Sequence, residues 1–320
     1  MDAARAMFGG DDWIDLSTGI APWAWPVADV PLGWEQLPEP GAIAALEAAA
    51  AEAFGVADPA RVVAVPGSDL AMRLLAPVIA ARRPCVVRPG YAGHLAAWPD
   101  AVAVTPDAVT MPTGSPAREH GGVGDADLLV LASPANPDGH VTDPALLRTL
   151  AQRMTVVVDE AYADPAPGLC PDADDRLVLL RSFGKFYGLP GLRLGFVIAG
   201  TGLAPQLRAL LGDWPVSSAA IAIGTAAYRD QHWHRAQQAR IIETGGLLDE
   251  VLRDARLPVV GSAPLFRLIA CDGATKLFET LAHHAILTRP FADQPDRLRI
   301  GLPRGAAGLV RLATALEEFS

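Results

Sequence analysis

The stretch TVVVDEAY (155–162), followed by RLVLLRSFGKFYGLPGLRLGFVIAG (176–200), decides the fold. Residues 155–158 and 177–180 are short β-branched and leucine runs without polar alternation, the pattern of strands buried on both faces. Each ends in a polar cluster, 159–162 after the first and 182–188 after the second. Working outward, the unit recurs. RVVAV (61–65) ends in PGSD (66–69) and enters a helical run, PCVV (84–87) leads to RPGY (88–91), and DLLVLA (127–132) ends in SPANPDG (133–139) before the helix DPALLRTLAQR (143–153). Strands alternating with helices predict an α/β fold with a mostly parallel central sheet. Such sheets gather ligand chemistry on the loops beyond the carboxyl ends of their strands. The four polar clusters are therefore expected to meet.

On either side the pattern changes. DLSTGIAPWAWPVADVPLGW (15–34) mixes Pro, Gly and Trp with neither helical nor strand period, so the first forty residues read as an irregular arm. Its Trp13, Trp23, Trp25 and Trp34 need cover, from the body or from a second subunit. AIAALEAAAAEAF (42–54) is a run of strong helix formers closed by Gly55. Beyond residue 200, helices are expected near 204–212, 216–229 and 231–254. Short strands near 257–260, 265–269, 286–289 and 298–301 then interleave with helices at 273–283 and 305–318, forming a smaller α+β domain. The expected division is an arm at 1–40, a large domain at 41–215, and connecting helices with the small domain at 216–320.

Composition narrows the function. A chain of 320 residues, 51% hydrophobic and 19% charged, can build a sizeable core. Its net charge of -10 argues against non-specific nucleic-acid binding. The apolar runs are broken by Pro, Gly, Arg or Asp before they reach membrane-spanning length, so no membrane association is expected. Cys85, Cys170 and Cys271 are scattered and odd in number, which indicates neither a disulfide framework nor a zinc cluster and points to the reducing cytoplasm. His94, His120, His140, His232, His234, His283 and His284 form no metal-ligand pattern. Neither a nucleotide-binding glycine loop nor a serine nucleophile elbow is present.

The clusters contain reactive groups. Lys185, at a strand end and near other cations, is either a surface lysine or an amine with a lowered pKa able to form an imine, chemistry that suits a pyridoxal cofactor. Asp159 follows an apolar strand, and a buried carboxylate there needs a partner such as a protonated pyridinium, or else caps a helix. Tyr162 adds a phenol or packs. Gly67 and Ser68 open a helix that can receive a phosphate or be capped in the ordinary way. Asn136 lies in turn chemistry, Tyr91 offers a flat ring for packing or stacking, and Arg193, Arg289 and Arg299 can each bind an anion through a bidentate fork.

Taken in order, Gly67-Ser68, Tyr91, Asn136-Pro137, Asp159-x-x-Tyr162, Ser182-x-x-Lys185 and Arg193 resemble the fold-type I pyridoxal-phosphate enzymes. Within them the chain most resembles the histidinol-phosphate aminotransferase-like subgroup, and there the threonine-phosphate decarboxylases of cobalamin biosynthesis. The resemblance implies pyridoxal 5'-phosphate held as an imine by Lys185, with Asp159 on the pyridinium nitrogen and Tyr91 stacked on the ring. It further implies Asn136 and Tyr162 at the ring 3-oxygen, Gly67, Ser68, Ser182 and Arg193 around the cofactor phosphate, and Arg299 on the substrate carboxylate. The activity it implies is decarboxylation of L-threonine O-3-phosphate by a homodimer, with a related aminotransferase as the alternative and a non-catalytic cofactor-binding protein as a third. The chain departs from the family pattern at Ala21 and Ala135, where asparagines are common, and at Gly184, where Ser or Thr is common. Trp34 and Leu37 occupy the region of a tyrosine commonly donated between subunits.

Overall fold

The computed structural model describes residues 1–110 and 123–319, so His120 lies outside the described residues. The chain opens with α1 (Asp2–Phe8) and β1 (Ile14–Asp15), then α2 (Pro40–Ala53), β2 (Val62–Val65), α3 (Ser68–Leu75), β3 (Pro84–Val87) and α4 (Ala92–Ala97). It continues through β4 (Val102–Val104), α5 (Pro106–Thr110), β5 (Leu128–Ala132), α6 (Pro144–Ala151), β6 (Thr155–Asp159), β7 (Leu177–Ser182), α7 (Phe183–Phe186), β8 (Gly195–Ile198) and α8 (Leu203–Leu211). There follow α9 (Ser218–Arg229), α10 (Gln231–Asp254), β9 (Val259–Ala263), β10 (Phe266–Ala270), α11 (Ala274–His283), β11 (Ile286–Leu287), β12 (Arg289–Phe291), β13 (Gln294–Gly301) and α12 (Gly305–Glu317).

The large sheet has the order β2-β8-β7-β6-β5-β3-β4, and only β8 runs against its neighbours. Alternate residues of each central strand enter opposite cores. Val156, Val158 and Leu179 face one layer with α2, α6 and α9, while Val157, Val178 and Leu180 face the other with α3 and α8. Burial on both faces is why these strands carry unbroken apolar runs.

Register positions the site. Ala132 pairs with Asp159, Asp159 with Leu180, and Gly195 with both Ser182 and Val65. The loops that start after these residues therefore leave the sheet side by side, and antiparallel β8 brings residues 193–195 to the same edge.

The smaller sheet, β12-β13-β10-β9, is antiparallel and packs against α11, with α12 lying against α10 and α11. β1 pairs in parallel with β11, the Leu16 carbonyl accepts from Gly301 N, and Ala21 N donates to the Lys185 carbonyl at 2.9 Å. The arm thus runs from the small sheet onto the large one, carrying residues 17–19 past the strand ends. It is not irregular throughout, because α1 and β1 interrupt it. The Ala, Arg and Met of α1 are strong helix formers, and Asp2 favours its first turn. Trp25 is buried with its indole N–H on Asp230, whereas Trp34 stays 71% exposed. Among the described residues no helix is long and apolar enough to cross a membrane.

Candidate active site

A cavity of about 390 Å³ lies beyond the strand ends, between the large sheet, the small sheet and the arm. Gly67, Ser68, Tyr91, Asn136, Asp159, Tyr162, Ser182, Lys185, Arg193 and Arg299 all line it. The ten positions singled out in the sequence converge on one place.

At one end α3 points its first turn into the cavity. Gly67 caps the helix, and no side chain makes a capping bond, so Ser68 does not serve as the N-cap. Gly67 needs to be glycine for its φ of +92°, and a Cβ there, 2.6 Å from the Arg193 guanidinium, would also displace that side chain. Arg193 itself takes the left-handed conformation (φ 53°), a backbone cost of about 1–2 kcal/mol for a residue with a Cβ. A Cβ at Gly184 would meet Pro190 Cα at 2.7 Å, so this close approach excludes a Ser or Thr there. Helix N–H groups, the Ser68 and Ser182 hydroxyls and the Arg193 guanidinium form a donor set that fits a phosphate.

On the same cavity lining, Asp159 ends β6 and is buried. Its carboxylate accepts from Ala161 N at 3.1 Å and lies 3.2 Å from His94 Nε2. His94 is fully buried on α4, three residues after Tyr91, and the two rings meet edge to face at 5.7 Å. The Tyr91 phenol donates to Asp69 at 3.0 Å, which fixes the other end of that ring. Gly93 makes room for it, since a Cβ there would touch the Tyr91 ring at 2.3 Å. A flat, anchored ring and a buried carboxylate lining one cavity fit a pyridine ring bearing a phosphate, so the cavity suits the cofactor implied by the resemblance.

Lys185 lies within α7, with Nζ 5.5 Å from the Tyr162 ring centre. Burial lowers its pKa, and the Arg299 guanidinium lowers it further. Burial raises the Tyr162 pKa, keeping the phenol protonated as a donor. A Cβ at Gly19 would sit 2.7 Å from the Tyr162 ring, so the arm closes tightly over it. Arg299 is buried on β13, donating to Asn136 Oδ1 at 2.5 Å and to the Ser17 carbonyl at 2.7 Å. With its oxygen committed to Arg299, the Asn136 amide keeps its NH₂ for a ligand. Burial and then Arg289, its partner across β12 and β13, lower the pKa of Arg299.

Sequence reasoning passed over Asp69, Arg88, Asp293 and the placement of His94. The spacing of His94 from Tyr91, one helical turn, was the available signal for the last.

The model of the family "Aminotransferase class I and II" matches residues 33–315. A threonine-phosphate decarboxylase from Pseudomonas aeruginosa is 35% identical, over 96% of this chain and 92% of its own. One from Sinorhizobium is 35% identical over 99% of this chain and 96% of its own. A crystal structure of histidinol-phosphate aminotransferase from Sinorhizobium meliloti in complex with pyridoxal-5'-phosphate superposes with a TM-score of 0.80 at 20% identity. It covers 100% of this chain and 95% of that one. With a fold-type I α/β architecture, a lysine and an aspartate at adjoining strand ends, and a family match spanning most of its length, the chain belongs to the class I and II aminotransferases.

Proposed function

We propose that this chain is a pyridoxal-phosphate-dependent lyase that decarboxylates L-threonine O-3-phosphate to (R)-1-aminopropan-2-ol O-2-phosphate and carbon dioxide, within cobalamin biosynthesis. The observation that carries the reading is the charge lining one cavity. Lys185, Arg88, Arg193, Arg289 and Arg299 face the carboxylates of Asp69, Asp159 and Asp293. This cationic excess suits a cofactor phosphate together with a substrate bearing two anionic groups. The full-length similarity to two threonine-phosphate decarboxylases supports the same reading.

When bound, the cofactor supplies a protonated heterocycle that accepts the electron pair left at Cα as the carboxylate departs. The side chains do the rest. Gly67, Ser68, Ser182 and Arg193 would hold the cofactor phosphate, and Asp159, steadied by His94, would hold the pyridine nitrogen. Tyr91 would cover the cofactor ring, while Asn136 and Tyr162 would donate to its ring oxygen. Arg299 would hold the substrate carboxylate and orient the bond that breaks. Loss of carbon dioxide leaves Cα one proton short. Lys185 in its ammonium form would supply that proton, since burial and the Arg299 guanidinium lower its pKa and make it a readier donor. A cytoplasmic homodimer with its three cysteines reduced goes with this reading.

The test is product analysis of cofactor-loaded protein given L-threonine O-3-phosphate, with and without a 2-oxo acid. Carbon dioxide and aminopropanol phosphate formed without acceptor are the expected outcome. An oxo product that requires the acceptor would instead make the chain an aminotransferase.

A further inference from the structure

Arg88 follows β3 on the large sheet, and Asp293 occupies the turn between β12 and β13 on the small one. Although 205 residues apart in sequence, Arg88 Nη2 stands 3.2 Å from Asp293 Oδ2, and both side chains line the cavity. The Arg88 backbone is fixed, its N–H donating to the Val104 carbonyl of β4 at 2.8 Å. The pair therefore bridges the two sheets across the cavity from a rigid base.

Two features set this pair apart from the buried arginine of the same cavity. Arg299 has two protein oxygens as acceptors, whereas Arg88 offers its planar fork to a single carboxylate oxygen. The side chains of Arg88 and Asp293 are also 32% and 56% exposed, and ion pairs so open to water contribute little and exchange readily. A phosphate monoester brings nearly two negative charges and three acceptor oxygens, more than one carboxylate presents. Arg289 adds a second cation that has no ion-pair partner among the described residues.

We propose that Arg88 is a specificity-determining residue that receives the phosphate-ester end of the substrate, with Asp293 holding its guanidinium until the phosphate takes that place. This rests on the reading of a phosphorylated amino-acid substrate given above. The order of groups along such a substrate matches the cavity. The carboxylate is bonded directly to Cα and suits the buried Arg299 near Lys185. The phosphate lies farther along the chain and suits the more exposed Arg88. An unphosphorylated amino acid leaves the Arg88–Asp293 pair closed and gains nothing from it.

Calorimetric titration of cofactor-loaded protein separates the contributions. The probes are 1-aminopropan-2-ol O-2-phosphate, which has the phosphate and no carboxylate, and L-threonine, which has the reverse. Arg88→Gln is expected to weaken the phosphate ligand about tenfold to a hundredfold, the scale of a charge-assisted hydrogen bond, and to leave L-threonine within about twofold. Asp293→Asn removes the competing carboxylate and is expected to tighten the phosphate ligand severalfold. An unchanged visible cofactor spectrum in both variants reports that the site is intact.

Equal weakening of both ligands by Arg88→Gln, or no weakening of either, overturns the proposal. So does Asp293→Asn if it weakens the phosphate ligand as Arg88→Gln does, since the pair would then be a clasp between the sheets. If no carbon dioxide forms while phosphate binding still depends on Arg88, the decarboxylase reading fails and the assignment of Arg88 stands.

Discussion

Lys185 couples the chemistry of the cavity to its electrostatics. Burial and then the Arg299 guanidinium disfavour its ammonium form, with Arg193 adding to them and Asp159 opposing, so its pKa falls below the ordinary 10.5. The neutral amine is the form that adds to a carbonyl. The rate of cofactor capture should therefore rise with pH and level off earlier than for a free lysine. Arg299→Gln removes one of the opposing cations and should move that profile to higher pH; a stopped-flow absorbance profile that does not move would leave burial and Arg193 as the causes. His94 can be read the same way. His94→Ala strips the imidazole from buried Asp159 and should weaken cofactor retention by roughly tenfold, with partial recovery in His94→Gln, as measured by equilibrium dialysis. Lys185 and Asp159 were legible as candidates in the sequence because each belongs to a polar cluster at the end of an apolar run, where an α/β sheet gathers its ligands. The contact of His94 with Asp159 was not, since it spans 65 residues and depends on how α4 lies over β6. The Arg88–Asp293 pair was hidden for the same reason, being set by the placement of one sheet against the other.

Between elements, backbone meets backbone where the loop after β5 touches β9. A Cβ at Gly139 would lie 1.9 Å from the Ser262 carbonyl oxygen, and one at Gly261 would lie 2.4 Å from the Asp138 carbonyl. Gly139 also has φ +76°, so Gly139→Ala adds left-handed strain to a clash. It should destabilise the chain by about 2–4 kcal/mol, read as a lower urea midpoint. The paired glycines of α10 supply the contrast. A Cβ at Gly245 would meet the Arg267 guanidinium at 2.7 Å, whereas one at Gly246 would meet nothing within 4 Å. Gly246→Ala should therefore stabilise by up to about 1 kcal/mol through helix propensity alone. The strands of the large sheet were readable because burial on both faces leaves an unbroken apolar run. The turn chemistry of 133–139 was equally plain, but what that turn packs against was not, because the Gly139 contact lies in β9, beyond the reach of local pattern. The short α1 escaped notice because it buries no residue and so carries no apolar stripe.

At the scale of the whole molecule, the arm ties the two sheets together and leaves apolar surface uncovered. Ser17 holds Arg299, Ala21 N donates to the Lys185 carbonyl and Trp25 N to that of Tyr187, so the arm is part of the site rather than an appendage. Farther along, Trp34 and Leu37 are 71% and 65% exposed, and Trp214 is 56% exposed. The Ser218 hydroxyl donates to the Gln36 carbonyl at 3.0 Å, which sets this part of the arm beside the start of α9, a few residues after Trp214. Large apolar side chains gathered on one face are the mark of an interaction surface, and in a homodimer a second copy of the chain would cover them. Sedimentation velocity at micromolar concentration should then show a species of twice the chain mass. Trp34→Glu places a charge in that contact and should raise the dimer dissociation constant at least about tenfold, the cost of burying an unpaired carboxylate in an apolar contact. A parent protein that sediments as a monomer at every concentration would remove the homodimer from the proposed function, and the exposed tryptophans would then need another partner.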